Sequence, residues 1–252
     1  MPLTFSHPAI ILPLTCFSKK RFSLTGLIIG SMVPDFEYFL RMKVKSIYSH
    51  SITGIFWFDL PFAILLTFIF HNIIRNSLFN NLPLFFKSRF LIFKSFDWNS
   101  YFKENKIVVL FSLFIGISSH ILWDDFTHKE GYFVQKIPFL KSHIHLFKIS
   151  ISVFKVLQHS STLLGGLFIL FFIYKLPINN IKFRTIHSKY WIIFISITLT
   201  IIISRIIYEF DVKRYGDLIT SCISALLSSL ILTPILLNKI NIVFKKSRIK
   251  EY

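Results

Sequence analysis

Five stretches of the chain run through apolar residues for long enough to suggest membrane crossing: 52–74, 107–123, 161–176, 190–208 and 218–237. A spanning helix needs about 20 such residues, so the second and third are expected to extend into their flanks. Asp59 interrupts the first span and Arg205 lies near the end of the fourth. The run 24–33 is apolar but too short to cross, and reads as re-entrant or packed against the bundle. Segments 78–102 and 142–158 set Lys87, Arg89, Lys94, Lys148 and Lys155 among Phe, Ile, Val and Trp, the mixture expected in the headgroup layer. The expected fold is all-α. It is a polytopic membrane helix bundle of about five spanning helices, with a short N-terminal re-entrant or packed helical segment and interfacial amphipathic segments. One membrane-embedded domain is expected over residues 1–252.

Composition strengthens the membrane reading. The chain has 252 residues, is 53% hydrophobic and is 16% charged, against about 25% charged in a typical soluble domain. An aromatic content of 17% excludes disorder. The formal net charge of +17 raises the question of nucleic acid. No compact soluble basic domain is present to hold a duplex, so the expected partners are membrane lipids, with anionic headgroups meeting the basic loops. Residues 9–17 contain Pro13 and are followed by Lys19, Lys20 and Arg21, the wrong polarity for a signal peptide. Cys16 and Cys222 form neither a CxxC motif nor a disulfide framework. A multi-pass cell-membrane protein is expected. Lys and Arg divide almost evenly between the two sides, so the positive-inside rule selects no orientation.

Topology still groups the polar residues. With five crossings, eight of the twelve acidic residues fall on the side of the N-terminus, beside most of the histidines. The densest segment is His120-Ile-Leu-Trp-Asp124-Asp125-Phe-Thr-His128. Residues four apart share a helical face, so His120, Asp124 and His128 would form one polar stripe. Imidazole and carboxylate are ligands that Zn²⁺ and similar ions accept. His7, Asp35, His50 and His159 are further candidate ligands on the same side. Each has a simpler reading. His7 precedes Pro8, which favours an extended backbone and a capping role. Asp35 follows Pro34, where it would cap a helix over 36–40 with Glu37 in the first turn. His50 and His159 each open a His-Ser element at the head of a span, where Ser51, Ser160 and Ser161 would cap. His143 and His145 read as interfacial. Asp59, costly inside a span, is neutral, paired with Arg205, or a partner steering a ligand histidine.

These residues resemble a known family. Thr4-Phe-Ser-His7-Pro-Ala, Gly30-Ser-Met-Val-Pro-Asp35-Phe-Glu-Tyr-Phe, His50-Ser, Phe58-Asp59-Leu-Pro, Ser119-His120-Ile-Leu-Trp-Asp124 with Thr127-His128, and Leu157-Gln-His159-Ser-Ser-Thr are similar to the bacterial multi-pass membrane proteins grouped as domain of unknown function 4184. A looser likeness extends to LexA-regulated inner-membrane metal-dependent hydrolases, and more distantly to α-helical zinc phospholipases. His7, Asp35, His50, His120 and Asp124 fall on matching positions of that hydrolase pattern. The chain departs from it at His50-Ser51, where the hydrolases carry two histidines, and at Phe36-Glu37, where they carry Ile-Asp.

The function expected first is a metal-dependent hydrolase acting on a lipid or other phosphoester at the membrane surface. In it a divalent ion, zinc above others, is held by His7, Asp35, His50, His120, Asp124, His128 and His159, with Asp125 or Glu37 as general base. The alternatives are non-catalytic: an ion- or proton-coupled transporter using Asp59, Arg205 and the carboxylates on the side of the N-terminus, or a scaffold tied together by its metal.

Overall fold

The computed structural model describes residues 3–17, 21–146, 149–179, 188–209 and 215–249. The N-terminal part is a series of short helices, α1 (Pro8–Ile11), α2 (Leu14–Phe17), α3 (Leu24–Gly30) and α4 (Phe36–Arg41). A continuous helix, α5 (Ile52–Asn81), follows, and then α6 (Leu84–Phe90) and α7 (Trp98–Glu104). Next come the long α8 (Lys106–Thr127), the short α9 (Tyr132–Lys136) and α10 (Pro138–Lys141), and the hairpin β1 (His143–Leu146) and β2 (Ile149–Ser152). Three long helices close the chain: α11 (Val153–Tyr174), α12 (Ser188–Glu209) and α13 (Tyr215–Ile249).

Five helices are long and apolar enough to cross a membrane: Ile52–Asn81, Lys106–Lys136, Val153–Tyr174, Ser188–Tyr208 and Tyr215–Ile240. The protein is thus a polytopic, nearly all-α membrane bundle. Each span outruns the apolar stretch that marks it, because a helix continues through polar flanks as long as its backbone bonds are made. The third shows this most clearly, since it begins at Val153, within the segment read as interfacial. The preceding strands His143–Leu146 and Ile149–Ser152 pair antiparallel, with His143 opposite Ser152 and His145 opposite Ser150. In α5 the winding widens to π-helical turns over Ile55–Asp59 and Phe70–Ile74.

The described chain divides into two compact units. Unit 1 comprises Met1–Glu37, Ser46–Thr67 and Ser100–Leu176. Its centre is the crossing of α3 on α8, with Leu27, Val109, Leu113 and Ile117 fully buried. Small residues permit this approach. A Cβ on Gly30 would lie 2.4 Å from the Leu113 carbonyl oxygen, and one on Gly116 would lie 2.6 Å from both the Leu27 oxygen and the Ser31 nitrogen. Gly26 and Gly30 form the small-xxx-small spacing that brings membrane helices together. The short apolar run 24–33 therefore packs against the bundle.

Unit 2 comprises Tyr38–Lys45, Phe68–Asn99 and Pro177–Tyr252. Here α12 packs on α13, joined by a buried bond from Thr198 Oγ1 to Ser229 Oγ at 2.8 Å. Trp191 Nε1 donates to the Asn81 carbonyl, and the Val44 amide to Asp217 Oδ1. Of the cations in 78–102, Lys87 and Arg89 are buried, Arg89 over the Phe85 ring, and Lys94 Nζ donates to Asn80 Oδ1.

Candidate metal centre

Four residues far apart in sequence converge in unit 1. Asp35, His50, His120 and Asp124 each offer one ligand atom, and these atoms all lie within 4.8 Å of one another. His120 Nε2 lies 3.5 Å from Asp35 Oδ1 and 3.3 Å from Asp124 Oδ2. His50 Nε2 lies 3.6 Å from Asp35 Oδ1 and 3.5 Å from Asp124 Oδ2. These separations exceed an ordinary N–H···O bond of about 2.7–3.2 Å. They match the edge of a tetrahedron with ligands at about 2.0–2.1 Å, which is about 3.3–3.4 Å. His120 Nε2 and Asp35 Oδ1 are buried and have no hydrogen-bond partner among the described residues. Buried polar atoms without partners are expensive. A shared cation satisfies them together, so the group can hold a metal ion.

Each candidate ligand has a further contact. His120, fully buried on α8, has Nδ1 2.7 Å from the Ser31 carbonyl oxygen. A carbonyl only accepts, so Nδ1 carries a proton, and the bond aims Nε2 at the cluster. Asp35 sits in the 3₁₀ turn Val33–Asp35. Its Oδ2 accepts from the Thr4 hydroxyl, which leaves Oδ1 toward the imidazoles. Asp35 is therefore oriented by Thr4 rather than spent on a helix start. Asp124 uses both oxygens, with Oδ1 3.7 Å from His7 Nε2 and 3.4 Å from His128 Nδ1.

His50 is held by the loop before α5. Its backbone has φ 58°, the left-handed region that non-glycine residues seldom adopt. Glu37 fixes that loop: its carboxylate accepts from the amides of Ile47, Tyr48 and Ser49, each at 2.9 Å, and from the Ser46 hydroxyl. Ser49 Oγ lies 3.0 Å from His50 Nδ1, and Ser51 caps α5 by accepting from the Gly54 amide. Glu37, expected as a general base, has its oxygens occupied by the loop.

The other expected residues are placed as follows. His7 stacks on His120 with ring centroids 3.8 Å apart. Its backbone is helical (φ −57°, ψ −37°), not extended, because it links the Thr4–Ser6 3₁₀ turn directly to α1, and its side chain makes no cap bond. His128 ends the helical stripe with an extended backbone, and its Nδ1 lies 3.1 Å from the Asp124 carbonyl oxygen. Asp125 points elsewhere, with Oδ1 accepting from the Tyr132 amide that starts α9. His159 is exposed, six residues into α11, and lies outside the four-residue group. Ser160 and Ser161 donate to carbonyls within α11 rather than cap it. Asp59 is fully buried at the end of the first π turn, and neither of its oxygens has a hydrogen-bond partner among the described residues. Thr4 and the Ser31 carbonyl were not among the residues singled out from sequence, although Thr4 lies in the motif quoted above.

Burial and opposite charge together set the protonation of this group. Burial, reinforced by His120, pushes the His7 imidazole down to about 3, so it is neutral at neutral pH. Burial opposes ionisation of Asp35, but the imidazoles of His120 and His50 outweigh it and hold the carboxyl well below its usual range. For His50, burial is outweighed by the carboxylates of Asp124 and Asp35, which raise its pKa.

The glycine crossing and the centre are mechanically linked through Ser31. Gly116→Val drives a side chain into the Leu27 and Ser31 backbone and is expected to cost about 1–3 kcal/mol. Metal affinity should fall with it, because the Ser31 carbonyl orients His120. Thermal unfolding and a zinc titration read the two effects, with Gly166→Ala as control, since a Cβ there meets nothing within 4 Å.

Neither the curated proteins nor the solved structures contain a match to this chain. Over residues 1–235 it matches the domain of unknown function DUF4184, and the chain belongs to that family.

Proposed function

We propose that the protein is a metal-dependent hydrolase of the cell membrane that cleaves a lipid or other phosphoester at the membrane surface, with zinc as its ion. The observation that carries this reading is the buried Asp35–His50–His120–Asp124 group beside a partly exposed histidine. Two nitrogen and two oxygen ligands without a thiolate suit Zn²⁺ and its neighbours in the divalent series. When bound, such an ion supplies Lewis-acid polarisation of an ester or phosphoryl oxygen and acidifies water. The chain's own residues do the rest. Asp35 and Asp124 balance the positive charge, and neutral His7 flanks Asp124 without adding to it. His128, facing the Asp124 carbonyl through Nδ1, keeps the lone pair of Nε2 on a ring that is 30% exposed. Proton acceptance falls to His128 rather than to Glu37, whose two oxygens accept from backbone amides, or to Asp125, whose Oδ1 accepts from the Tyr132 amide at the start of α9. Asp59 lies outside the four-residue group, and its electrostatic neighbours are His50, His120 and Glu37.

Four protein ligands are also what a structural site has, so the second reading is a scaffold stabilised by its metal. Turnover separates the two. Purified protein is assayed on a phosphatidylglycerol substrate before and after chelation and with Zn²⁺ restored. Activity should vanish with the metal and return with it. His128→Ala should keep its metal while turnover falls by about 10²–10⁴-fold. Full metal occupancy with no hydrolysis of lipid or soluble phosphoesters would sink the hydrolase in favour of the scaffold.

A further inference from the structure

His7 belongs to two features at once. One side of it meets Asp124 and His120, and it also walls a groove of about 570 Å³ whose other boundaries include Ile10, Trp123, Leu157, Leu164 and Phe168. That volume lies in the range of about 300–1,000 Å³ typical of sites for small ligands. The serines in the wall have their protons committed to the backbone. Ser6 Oγ donates to the Leu3 carbonyl, Ser119 to Gly116, Ser160 to Val156 and Ser161 to Gln158. With those protons spent on the backbone, the groove presents mostly hydrocarbon.

The open side is set by α11. Leu164 and Phe168 line the groove and are themselves exposed, 64% and 38%. Their neighbours Leu163, Leu167 and Phe171 are exposed on the same spanning helix, where the surrounding medium is acyl chain. Gly165 shapes the inner wall, since a Cβ there would lie 3.0 Å from the Ser6 carbonyl oxygen. A guest entering from the bilayer thus travels over apolar wall toward the buried centre.

We propose that this groove holds one hydrocarbon chain of a membrane amphiphile whose polar head reaches the centre at His7 and Asp124. The substrate of the enzyme is then a chain-bearing ester, not a water-soluble one. That assignment of substrate rests on the hydrolase reading above; the occupant of the groove does not.

The test uses full-length protein in phosphatidylcholine vesicles doped with a phosphatidylglycerol carrying a diazirine near the end of one acyl chain. After photolysis, peptide mapping locates the label. It should concentrate on residues 6–10 and 157–168. Ala9→Phe should lower labelling there by about tenfold, the ratio that a modest steric penalty gives. Leu164→Trp should do the same and keeps the measurement readable if Ala9→Phe folds poorly. Gly166→Leu, directed into open space, should leave labelling unchanged. Asp124→Ala should lose metal yet keep the label, which separates the groove from the chemistry. Groove labelling with no ester turnover in the wild type would leave the occupant standing and remove only the substrate assignment. Label spread evenly along α11 and indifferent to Ala9→Phe and Leu164→Trp, or displaced by a short-chain soluble phosphodiester, overturns the proposal.

Discussion

Asp124→Ala is expected to empty the centre, taking bound metal from about one ion per chain to less than about a tenth of that. The two Asp124 oxygens face four imidazoles. Oδ2 lies 3.5 Å from His50 and 3.3 Å from His120, while Oδ1 faces His7 at 3.7 Å and His128 at 3.4 Å. Removing the carboxylate leaves four imidazoles around one remaining charge, that of Asp35, and a divalent ion loses both a ligand and half its charge balance. Elemental analysis of purified protein reads the loss. Asp125→Ala is the internal control, because its neighbouring carboxylate caps α9 through the Tyr132 amide. Equal metal in Asp124→Ala and wild type would mean that the ion sits elsewhere. Acid should act in the same direction as the mutation. His7, at about 3, and Asp35, well below its usual range, hold no proton at neutral pH. His50, raised above its ordinary value, does compete. Metal affinity should therefore fall as pH drops through the neutral range, and uptake should release a proton, measurable by calorimetry in buffers of different ionisation enthalpy.

The spans were legible because apolar length is a property of the sequence itself. Their ends were not, since a helix such as Val153–Tyr174 starts in residues whose composition looks interfacial. That shift explains His159. Read as the residue opening a span, it is instead well inside α11 and on its exposed face. The hairpin before it carried a visible signal in the alternation of His-Ile-His-Leu and Ile-Ser-Ile-Ser, but period two over four residues also fits an amphipathic segment lying in the headgroup layer.

The centre divides along the same line. His120 and Asp124 followed from helical spacing, and α8 does place them on one face. The pairing of that face with residues 7, 35 and 50 could not follow from spacing, because it depends on where α3 crosses α8. Gly26, Gly30 and Gly116 determine that crossing, and their role is visible only when both helices are in place. Residues that aim the ligands were harder still. The Ser31 carbonyl is a backbone atom with no side-chain signature, and Thr4 acts across thirty-one positions of sequence.

Glu37 is where structure most changes the chemistry expected of a residue, and its replacement separates the two roles. A general base needs an oxygen free to take a proton. Glu37 is 2% exposed, and both oxygens accept from Ser46, Ile47, Tyr48 and Ser49. Hydrogen bonds to a charged acceptor are strong, and donors left without it regain water only where the loop is exposed. Glu37→Ala should therefore cost about 3 kcal/mol, a fall of roughly 10 °C in unfolding temperature for a chain of this size. The consequence reaches His50, whose strained φ of 58° survives only while the loop is pinned. Metal should bind more weakly and dissociate faster, with His50 relaxing out of the centre. Glu37→Gln keeps acceptor capacity at one oxygen and should recover part of both losses, whereas a general base would not be rescued by an amide. Unfolding temperature and zinc affinity in the two variants decide the matter: a Glu37→Ala protein with wild-type stability and affinity but no turnover would return Glu37 to the chemistry.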